Sequence, residues 1–375
     1  MASIQKRENG SWRARYRDEG GREHARHFPR KVDAQRWLDE VTASIVTSTY
    51  VDPRAGSLTF AQWWQVWSAR QVWTRGTRLS ADQAAASVTF ADVPMRSIRP
   101  SHVEQWIKVA SQPADGSAGI AASTMKVRFS YVQMALLAAV RERIIAHDPS
   151  AEVRKKLPKT RKPEAAMLVP TAEQVAAALE VSPAHFRPFV AVCAFSGLRL
   201  GEAAGLQLGD VDFLRRSIAV ARQVQGASVA DVEIVSPKAE SERTIYVPEE
   251  LTDLLAAHVQ EIGTRGPERW LFCNGPEVWN RNSAGNQWRR IREAAGLGSD
   301  LTLHSLRHFY ASGLIAAGCD VVTVQRSLGH SSATVTLNTY AHLWSTAEDR
   351  TRAAAGQLMA DVLRPAADSL RTVAP

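Results

Sequence analysis

The sequence predicts an α+β fold that is mostly helical. It reads as a small N-terminal three-stranded sheet plus helix, then a helical middle segment, then a mixed, mainly-α part with a small antiparallel sheet. Three observations predict this. Strand-like patterning is confined to the first 30 residues and to three short runs between 216 and 248. Most other segments repeat their apolar residues at helical spacing. Breaks rich in Pro, Gly or basic residues at 48–60 and 153–163 divide the chain of 375 residues, whose 45% hydrophobic content suffices for two or three cores.

In the N-terminal part, "ENGS" contains Asn9-Gly10, which predicts a type I′ hairpin, and Gly20-Gly21 predicts a second turn. Between them, "SWRARYRD" places Trp12, Ala14 and Tyr16 on one strand face and Arg13, Arg15 and Arg17 on the other. The helix expected in "RKVDAQRWLDEVTASIV" covers the apolar face with Val32, Trp37, Val41 and Ile45. Residues 1–36 hold ten Lys/Arg against five acids. Three arginines on one strand face repel one another unless an anion sits there. A solvated face is the bland reading, and a sheet laid in a DNA groove is the functional one.

Residues 48–60 read as a linker. In "LTFAQWWQVWSARQVW" the cluster Trp63, Trp64, Trp67 and Trp73 reads as core rather than as a platform for stacked bases. Two further helices are expected in "SHVEQWIKVA" and over 122–144, the latter with Val127, Tyr131, Met134, Leu137 and Val140 as its buried stripe. Lys126 and Arg128 lie near its start, where a phosphate can dock. The segment 153–163 carries Arg154, Lys155, Lys156, Lys159, Arg161 and Lys162 with no acid, an interdomain linker suited to crossing a DNA backbone. From about 164 to 350 the pattern is helical apart from strands in "RSIAVARQ", "DVEIVSPK" and "RTIYVP". There is no sustained internal repeat and no low-complexity tract.

The net charge of +8 favours a polyanionic partner, nucleic acid first and an anionic membrane second. Cys193, Cys273 and Cys319 are far apart and odd in number, without a CxxC, which fits a reducing compartment and no zinc ribbon. "MASIQKRENG" has no apolar core of a signal peptide, and no apolar run reaches membrane-spanning length. The expectation is a soluble cytoplasmic protein with no cofactor and no metal.

Four short stretches carry chemistry. In "SGLRLGEAAGLQLGDVDF", Arg199 opens a helix after a glycine turn, Glu202 lies one turn on, and Leu198, Ala203 and Leu206 form the inner face. Lys238 sits at a hairpin tip in "SPKAESERTIYVP". "HSLRHFYAS" packs His304, Arg307 and His308 into little more than one turn. In "SLGHSSATVTLNTYAHL", His330 follows the helix-ending Gly329 and Tyr340 comes ten residues later. Each alone has a plain structural reading. Together they are what metal-free phosphodiester cleavage requires. Guanidinium groups match the non-bridging oxygens of the transition state bidentately. A lysine can protonate the leaving 5′-oxygen, histidines can bond phosphate and relay protons, and a tyrosine can attack to form a phosphotyrosine.

In this order, "SGLRLGE", "HSLRHFYAS" and "LGHSS…NTYAH" resemble the tyrosine recombinases, the phage-type integrases, over roughly residues 165–345. The resemblance implies Arg199, Lys238, His304, Arg307, His330 and Tyr340 as the catalytic set, with Tyr340 the nucleophile. His304 and Arg307, at i and i+3, share a helical face and reach one phosphate, whereas His308 reads as structural. The implied plan is an arm-type DNA-binding domain over 1–50, a helical core-binding domain over 57–155, a catalytic domain over 164–350, and a C-terminal helix and tail over 351–375. The implied function is site-specific recombination of double-stranded DNA at core and arm-type sites, integrating or excising a mobile element through a 3′-phosphotyrosine in the bacterial cytoplasm at the nucleoid. A homotetramer on DNA is implied too, as are a host bending protein and a directionality factor. The C-terminal "STAEDRTRAAAGQLMADVL", with Leu358, Met359, Val362 and Leu363 grouped, packs either on its own domain or on a neighbouring protomer. A metal hydrolase built on His304 and His308 is disfavoured, because Arg307 occupies the turn and would repel the cation. A non-catalytic DNA-binding regulator on the same fold and a type IB topoisomerase-like nicking-resealing enzyme are the alternatives. The N-terminal sheet favours recombination, since a relaxing enzyme needs no second specific site.

Overall fold

The computed structural model describes residues 2–17, 21–46, 55–113, 116–158, 168–237, 241–344 and 347–363. The chain divides into two units, Met1–Thr160 and Arg161–Pro375.

The alternating N-terminal residues build the antiparallel meander β1 (Ser3–Lys6), β2 (Trp12–Arg17) and β3 (Glu23–Phe28). Helix α1 (Lys31–Val46) covers its apolar face. Ala14 and Tyr16 are buried against Ala34 and Leu38, with Ile4, Trp12, Phe28, Trp37 and Val41 packed around them. Val32 points outward at 66% exposure, since the inward row is 34, 37, 38 and 41. The side chain of Ile45 and the Gly20 half of the second turn lie outside the described residues. The first turn also differs from expectation. Gly10 donates to the Arg7 carbonyl at 3.0 Å and Arg7 to the Ser11 carbonyl at 2.8 Å, and Gly10 alone of the Asn9-Gly10 pair has positive φ. This is a three-residue loop with a left-handed glycine, not a type I′ turn. Register explains it. The observed loop pairs Ile4 with Ala14 on the apolar face, whereas a two-residue turn at Asn9-Gly10 would slide Ile4 opposite Arg15.

The helical part comprises α2 (Phe60–Ser68), α3 (Arg75–Ala86), α4 (Pro100–Ser111) and α5 (Ala122–Arg141). Thr59 caps α2 through reciprocal bonds with Gln62. Trp63, Trp64 and Trp67 are core, as expected, and Trp73 packs against them. The Trp63 indole N–H donates to the Ala135 carbonyl at 2.8 Å. Helix α5 presents a different face from the expected one. Met125, Phe129, Val132, Ala135, Leu136 and Ala139 are buried, while Val127, Met134 and Leu137 are 50%, 44% and 36% exposed and Tyr131 and Val140 sit at the margin. Apolar residues lie on more than one side of the helix, and the side that packs against α2 and α3 combines Met125, Phe129 and Leu136 with Ala135 and Ala139. The basic run beginning at 153 likewise starts inside this core. Val153 is buried, Lys155 pairs with Glu152, and Lys156 pairs with Glu104 of α4 at 2.7 Å. Lys159, Arg161 and Lys162 lie outside the described residues.

In the second unit, α6 (Ala172–Glu180), α7 (Arg187–Phe195) and the short α8 (Leu200–Ala204) precede the strands. Strands β4 (Val211–Asp212), β5 (Ser217–Val220) and β8 (Arg243–Tyr246) form one antiparallel sheet, and β6 (Gln223–Gln225) with β7 (Glu233–Val235) form a ribbon. The run "RSIAVARQ" therefore feeds two sheets, broken where Arg222 turns back to pair with Asp210. Then come α9 (Glu249–Glu261), the β9–β10 hairpin (Cys273–Asn274, Glu277–Val278) and α10 (Arg281–Ala294). After them run α11 (Leu303–Ala316), α12 (Val321–Leu328), α13 (Ala333–Tyr340) and α14 (Ala347–Leu363). Helix α7, apolar on every side, is the buried centre against which α9 and α11 pack. On α14, Leu358, Met359, Val362 and Leu363 are 63–78% exposed. Among the described residues no helix is long and apolar enough to cross a membrane.

The face chosen by α5 is testable by mutation. Phe129→Ala should cost about 3–5 kcal/mol of stability through cavity formation, and Met134→Ala less than about 1 kcal/mol. Urea unfolding of the two variants checks this, and the reverse ranking would restore the Met134 stripe.

Candidate active site

The site is built around one carboxylate. Glu202 of α8 is 1% exposed. Its Oε1 accepts from Arg199 Nη1 at 2.6 Å, and its Oε2 accepts from the Arg199 backbone N–H at 3.0 Å and from Arg243 Nη2 at 2.9 Å. Arg199 stands at the N-cap of α8, so helix start and ion pair are made by the same two residues. Arg243 Nε also donates to the Ser327 carbonyl at 3.1 Å, at the end of α12. Gly329, in the left-handed conformation at φ +63°, ends that helix. A Cβ there would lie 2.7 Å from the Arg243 guanidinium, so glycine is required twice over. The Gly329 carbonyl accepts from Arg199 Nη2 at 3.3 Å.

Arg307 of α11 is 2% exposed and has no carboxylate of its own. Its Nη1 donates to the Gly197 carbonyl at 2.5 Å and its Nη2 to the Leu328 carbonyl at 2.6 Å. Gly197, at φ +64°, lies so close to the Tyr310 ring that a Cβ would meet it at 2.4 Å. Burial, then the charge of Arg199, pulls the Arg307 guanidinium down to about 9, with Glu202 opposing. Two guanidiniums thus share one carboxylate and a third rests on carbonyls, so among the described residues the pocket carries excess positive charge that an anion would balance.

The remaining groups line the same site. His304 has its pKa lowered by burial and then by Arg307 and Arg199. His330 follows Gly329, and its Nδ1 bonds the buried Thr336 hydroxyl at 2.9 Å. Burial, followed by Arg307 and Arg199, holds its imidazole down at about 4. Tyr340 ends α13 almost fully buried, its ring 6.5 Å from that of His330. Burial pushes its hydroxyl up to about 12, although Arg307 and Arg199 pull the other way. Its Oη lies 2.7 Å from Nδ1 of His308, so the histidine read as structural touches the hydroxyl expected to be the nucleophile.

The structure therefore gathers Arg199, His304, Arg307, His330 and Tyr340, while Lys238 lies outside the described residues. In the sequence Arg243 is passed over and His308 reads only as structural. Arg243 did carry a signal. It shares a strand face with Ile245, which is 2% exposed, so an arginine was being sent inward. The residues proposed for DNA contact lie in the other unit. Lys126 is exposed and Arg128 half-buried on α5, and Arg154 is exposed beside Lys155 and Lys156. Arg13 and Arg15 do find an anion within the sheet, since Glu23 lies 3.3 and 3.8 Å from them across the strands. Mutual repulsion on that face is thus relieved internally and does not of itself call for a phosphate. Arg17 is exposed at the end of β2. Among the described residues, no group of three or more His, Cys, Asp or Glu side chains is placed to hold a metal ion.

Residues 165–346 match the phage integrase family, and residues 2–47 match the phage integrase N-terminal domain. The chain is 25% identical over 361 residues to a putative prophage phiRv2 integrase of Mycobacterium tuberculosis, covering 90% of each protein. It is 28% identical over 258 residues to the tyrosine recombinase XerD of Corynebacterium glutamicum, covering 66% of this chain and 80% of that one. Its fold is similar to that of the Tn1549 transposon integrase solved with a circular intermediate DNA, with TM-score 0.68, 20% identity, and coverage of 80% of this chain and 100% of that one. It is also similar to a lambda integrase dimer bound to a COC′ core site, with TM-score 0.56, 17% identity, and coverage of 92% and 96%.

The shared carboxylate sets a pH dependence. Burial alone would raise the Glu202 pKa, but the bonds and charges of Arg243 and Arg199 overcome it and the net shift is downward. A depressed folded-state pKa contributes stability that is present above the unfolded value and lost as pH falls through the folded one. Stability should therefore drop on acidification below the usual carboxylate range, about pH 4, and less steeply in Glu202→Gln. Glu202→Ala strands buried Arg243 and should cost about 3–5 kcal/mol at neutral pH. Denaturant titrations across pH check both, and a Glu202→Ala protein as stable as wild type would contradict the shared-carboxylate account.

Proposed function

The chain belongs to the phage integrase family and is a tyrosine-type site-specific DNA recombinase, and we propose that Arg199, His304, Arg307, His330 and Tyr340 are the residues with which it cuts and rejoins DNA. One observation carries this reading: two guanidiniums, Arg199 and Arg243, share a single buried carboxylate while a third, Arg307, is held on backbone carbonyls, in a site that also holds a buried tyrosine hydroxyl. A scissile phosphate entering there supplies the missing negative charge. Arg199 and Arg307 then hold its non-bridging oxygens, and their hold tightens as charge builds on the pentavalent phosphorus. His304 and His330 donate further hydrogen bonds. Tyr340 Oη gives up its proton to a neighbouring base as it bonds to phosphorus, the bond to the 5′-oxygen breaks, and Lys238 gives that oxygen its proton. Attack by a 5′-hydroxyl from a second duplex reverses the sequence and releases the tyrosine. Glu202 and Arg243 do not touch the phosphate in this scheme, and they position Arg199 and the Gly329 turn that leads to His330.

The rest of the chain supports recognition and assembly. We assign residues 1–50 to arm-type sites, 57–155 to the core site with Lys126, Arg128 and Arg154–Lys156 toward the backbone, 164–350 to catalysis, and 351–375 to assembly. The uncovered apolar row of α14 suits docking on a neighbouring protomer in a tetramer on paired sites, integrating or excising a mobile element in a bacterial cytoplasm at the nucleoid. A host bending protein and a directionality factor fit this scheme as further partners.

Tyr340→Phe should bind core DNA normally and form no covalent complex on a nicked suicide substrate, as seen on a denaturing gel. Arg307→Lys should lose cleavage by roughly two to three orders of magnitude, since an ammonium cannot make the bidentate contact. A covalent band from Tyr340→Phe would remove that residue from the role.

Two truncations test the outer segments. Removal of residues 1–50 should spare core-site binding and cleavage while abolishing binding to a second, distant class of site. Removal of everything after His342 should spare single-site binding and weaken bridging of two duplexes. Unchanged mobility shifts and unchanged bridging would return the two segments to purely structural roles.

A further inference from the structure

Resting on the assignment of Tyr340 as nucleophile, we propose that His308 is a further catalytic residue: its Nδ1 holds the Tyr340 hydroxyl and takes the phenolic proton as Oη attacks phosphorus. The geometry is direct. His308 lies one helical turn after His304 on α11, and its Nδ1 stands 2.7 Å from Oη. The two rings meet edge-on with centroids 5.6 Å apart, and the His304 ring lies 4.8 Å from that of His308. His330 is not placed for this task, because its Nδ1 is committed to the Thr336 hydroxyl and its ring stacks along the tyrosine.

The direction of the bond follows from the surroundings. Burial keeps the phenol protonated, and burial with the charges of His304 and Arg307 holds the His308 imidazole down at about 4, hence neutral. A protonated phenol facing a neutral imidazole donates to it, so Nδ1 carries the lone pair and Nε2 the proton. In the free protein His308 is a weak base, so the nucleophile stays neutral. A phosphate anion between Arg199 and Arg307 offsets the cationic field that depresses the imidazole and raises its proton affinity when the substrate is in place. The step balances. The Oη–H bond breaks and its proton moves to Nδ1, an oxygen lone pair forms the Oη–P bond, and the P–O5′ bond breaks with its electron pair on the 5′-oxygen, which is protonated separately. On religation the imidazolium returns its proton to Oη, and no proton is consumed overall.

The experiment is single-turnover cleavage of a nicked suicide duplex by full-length protein, with core-site affinity as the check on folding. Asparagine can place an acceptor where Nδ1 stands but cannot take a proton. His308→Asn should bind DNA as wild type does and cleave roughly 10²-fold more slowly, the usual contribution of general base catalysis. Imidazole in the buffer should restore much of the rate to His308→Ala. A duplex with sulfur at the bridging 5′ position, whose leaving thiolate needs no proton, should leave the His308→Asn defect in place. Three results would overturn the proposal: His308→Asn cleaving within threefold of wild type, its defect vanishing on the sulfur substrate, or no response of His308→Ala to imidazole. Tyr340→Phe in the same assay keeps the two readings apart. A covalent band from that variant would strike the nucleophile assignment, whereas slow variants that still link through Tyr340 bear on His308 alone. If His308→Asn loses DNA binding, His308→Gln serves in its place with the same criteria.

Discussion

The second unit depends on the pairing of one buried carboxylate with more positive charge than it can neutralise. Glu202 is held by Arg199 from its own helix and by Arg243 from strand β8, and Arg243 in turn binds the end of α12. Helix α8, the sheet and the segment leading to His330 are thereby tied through a single side chain. Buried ion pairs of this kind are poor sources of net stability, because desolvation offsets most of the Coulombic gain. What they supply here is position. In the proposed reaction the guanidinium planes are set before any phosphate arrives, so no reorganisation is needed when charge develops on it.

The excess charge has a second consequence. Arg307 is buried on carbonyl groups alone, Gly197 and Leu328, and both carbonyls come from loops whose glycines have left-handed backbones, Gly197 beside Tyr310 and Gly329 beside Arg243. A backbone that curls to present carbonyls to a cation leaves the outward donors of that cation for an anion. The same compactness buries Tyr340 and half-buries His330, so neither is charged in the absence of DNA. The resting site is a cationic pocket beside a neutral phenol, and on the proposal that Tyr340 attacks a phosphodiester that phenol stays uncharged until the phosphate enters.

Much of this was legible in the sequence, and the unread part has physical causes. Arg199, Glu202, His304, Arg307, His330 and Tyr340 stand in short words whose residue types match the chemistry, and Leu198, Ala203 and Leu206 are buried as their spacing implies. Arg243 escaped because a strand of four residues gives too few alternations to mark an inward arginine as deliberate. Helix α5 was read on the wrong face because Val127, Met134 and Leu137 are larger than Ala135 and Ala139. Size suggests burial, but the buried face joins Met125, Phe129 and Leu136 to alanines whose small side chains give little pattern to read. The N-terminal turn misled for a related reason: Asn-Gly states a local preference, and the apolar register of Ile4 with Ala14 overrode it.

His308 shows a third limit. From spacing alone it shares a helical face with His304, and a histidine there has as many uses in packing as in chemistry. Its partner lies 32 residues downstream, on a helix whose placement depends on the Gly329 turn. No local pattern encodes such a contact. It arises because α12 reverses at Gly329 and α13 then carries its last residue, Tyr340, to α11. The two words "HSLRHFYAS" and "NTYAH" therefore form one functional unit only in three dimensions. The glycine that joins them is constrained both by its backbone angle and by the Arg243 guanidinium packed against it. The carboxylate that holds Arg243 thus also fixes, through that turn, the course of the chain toward the Tyr340 hydroxyl.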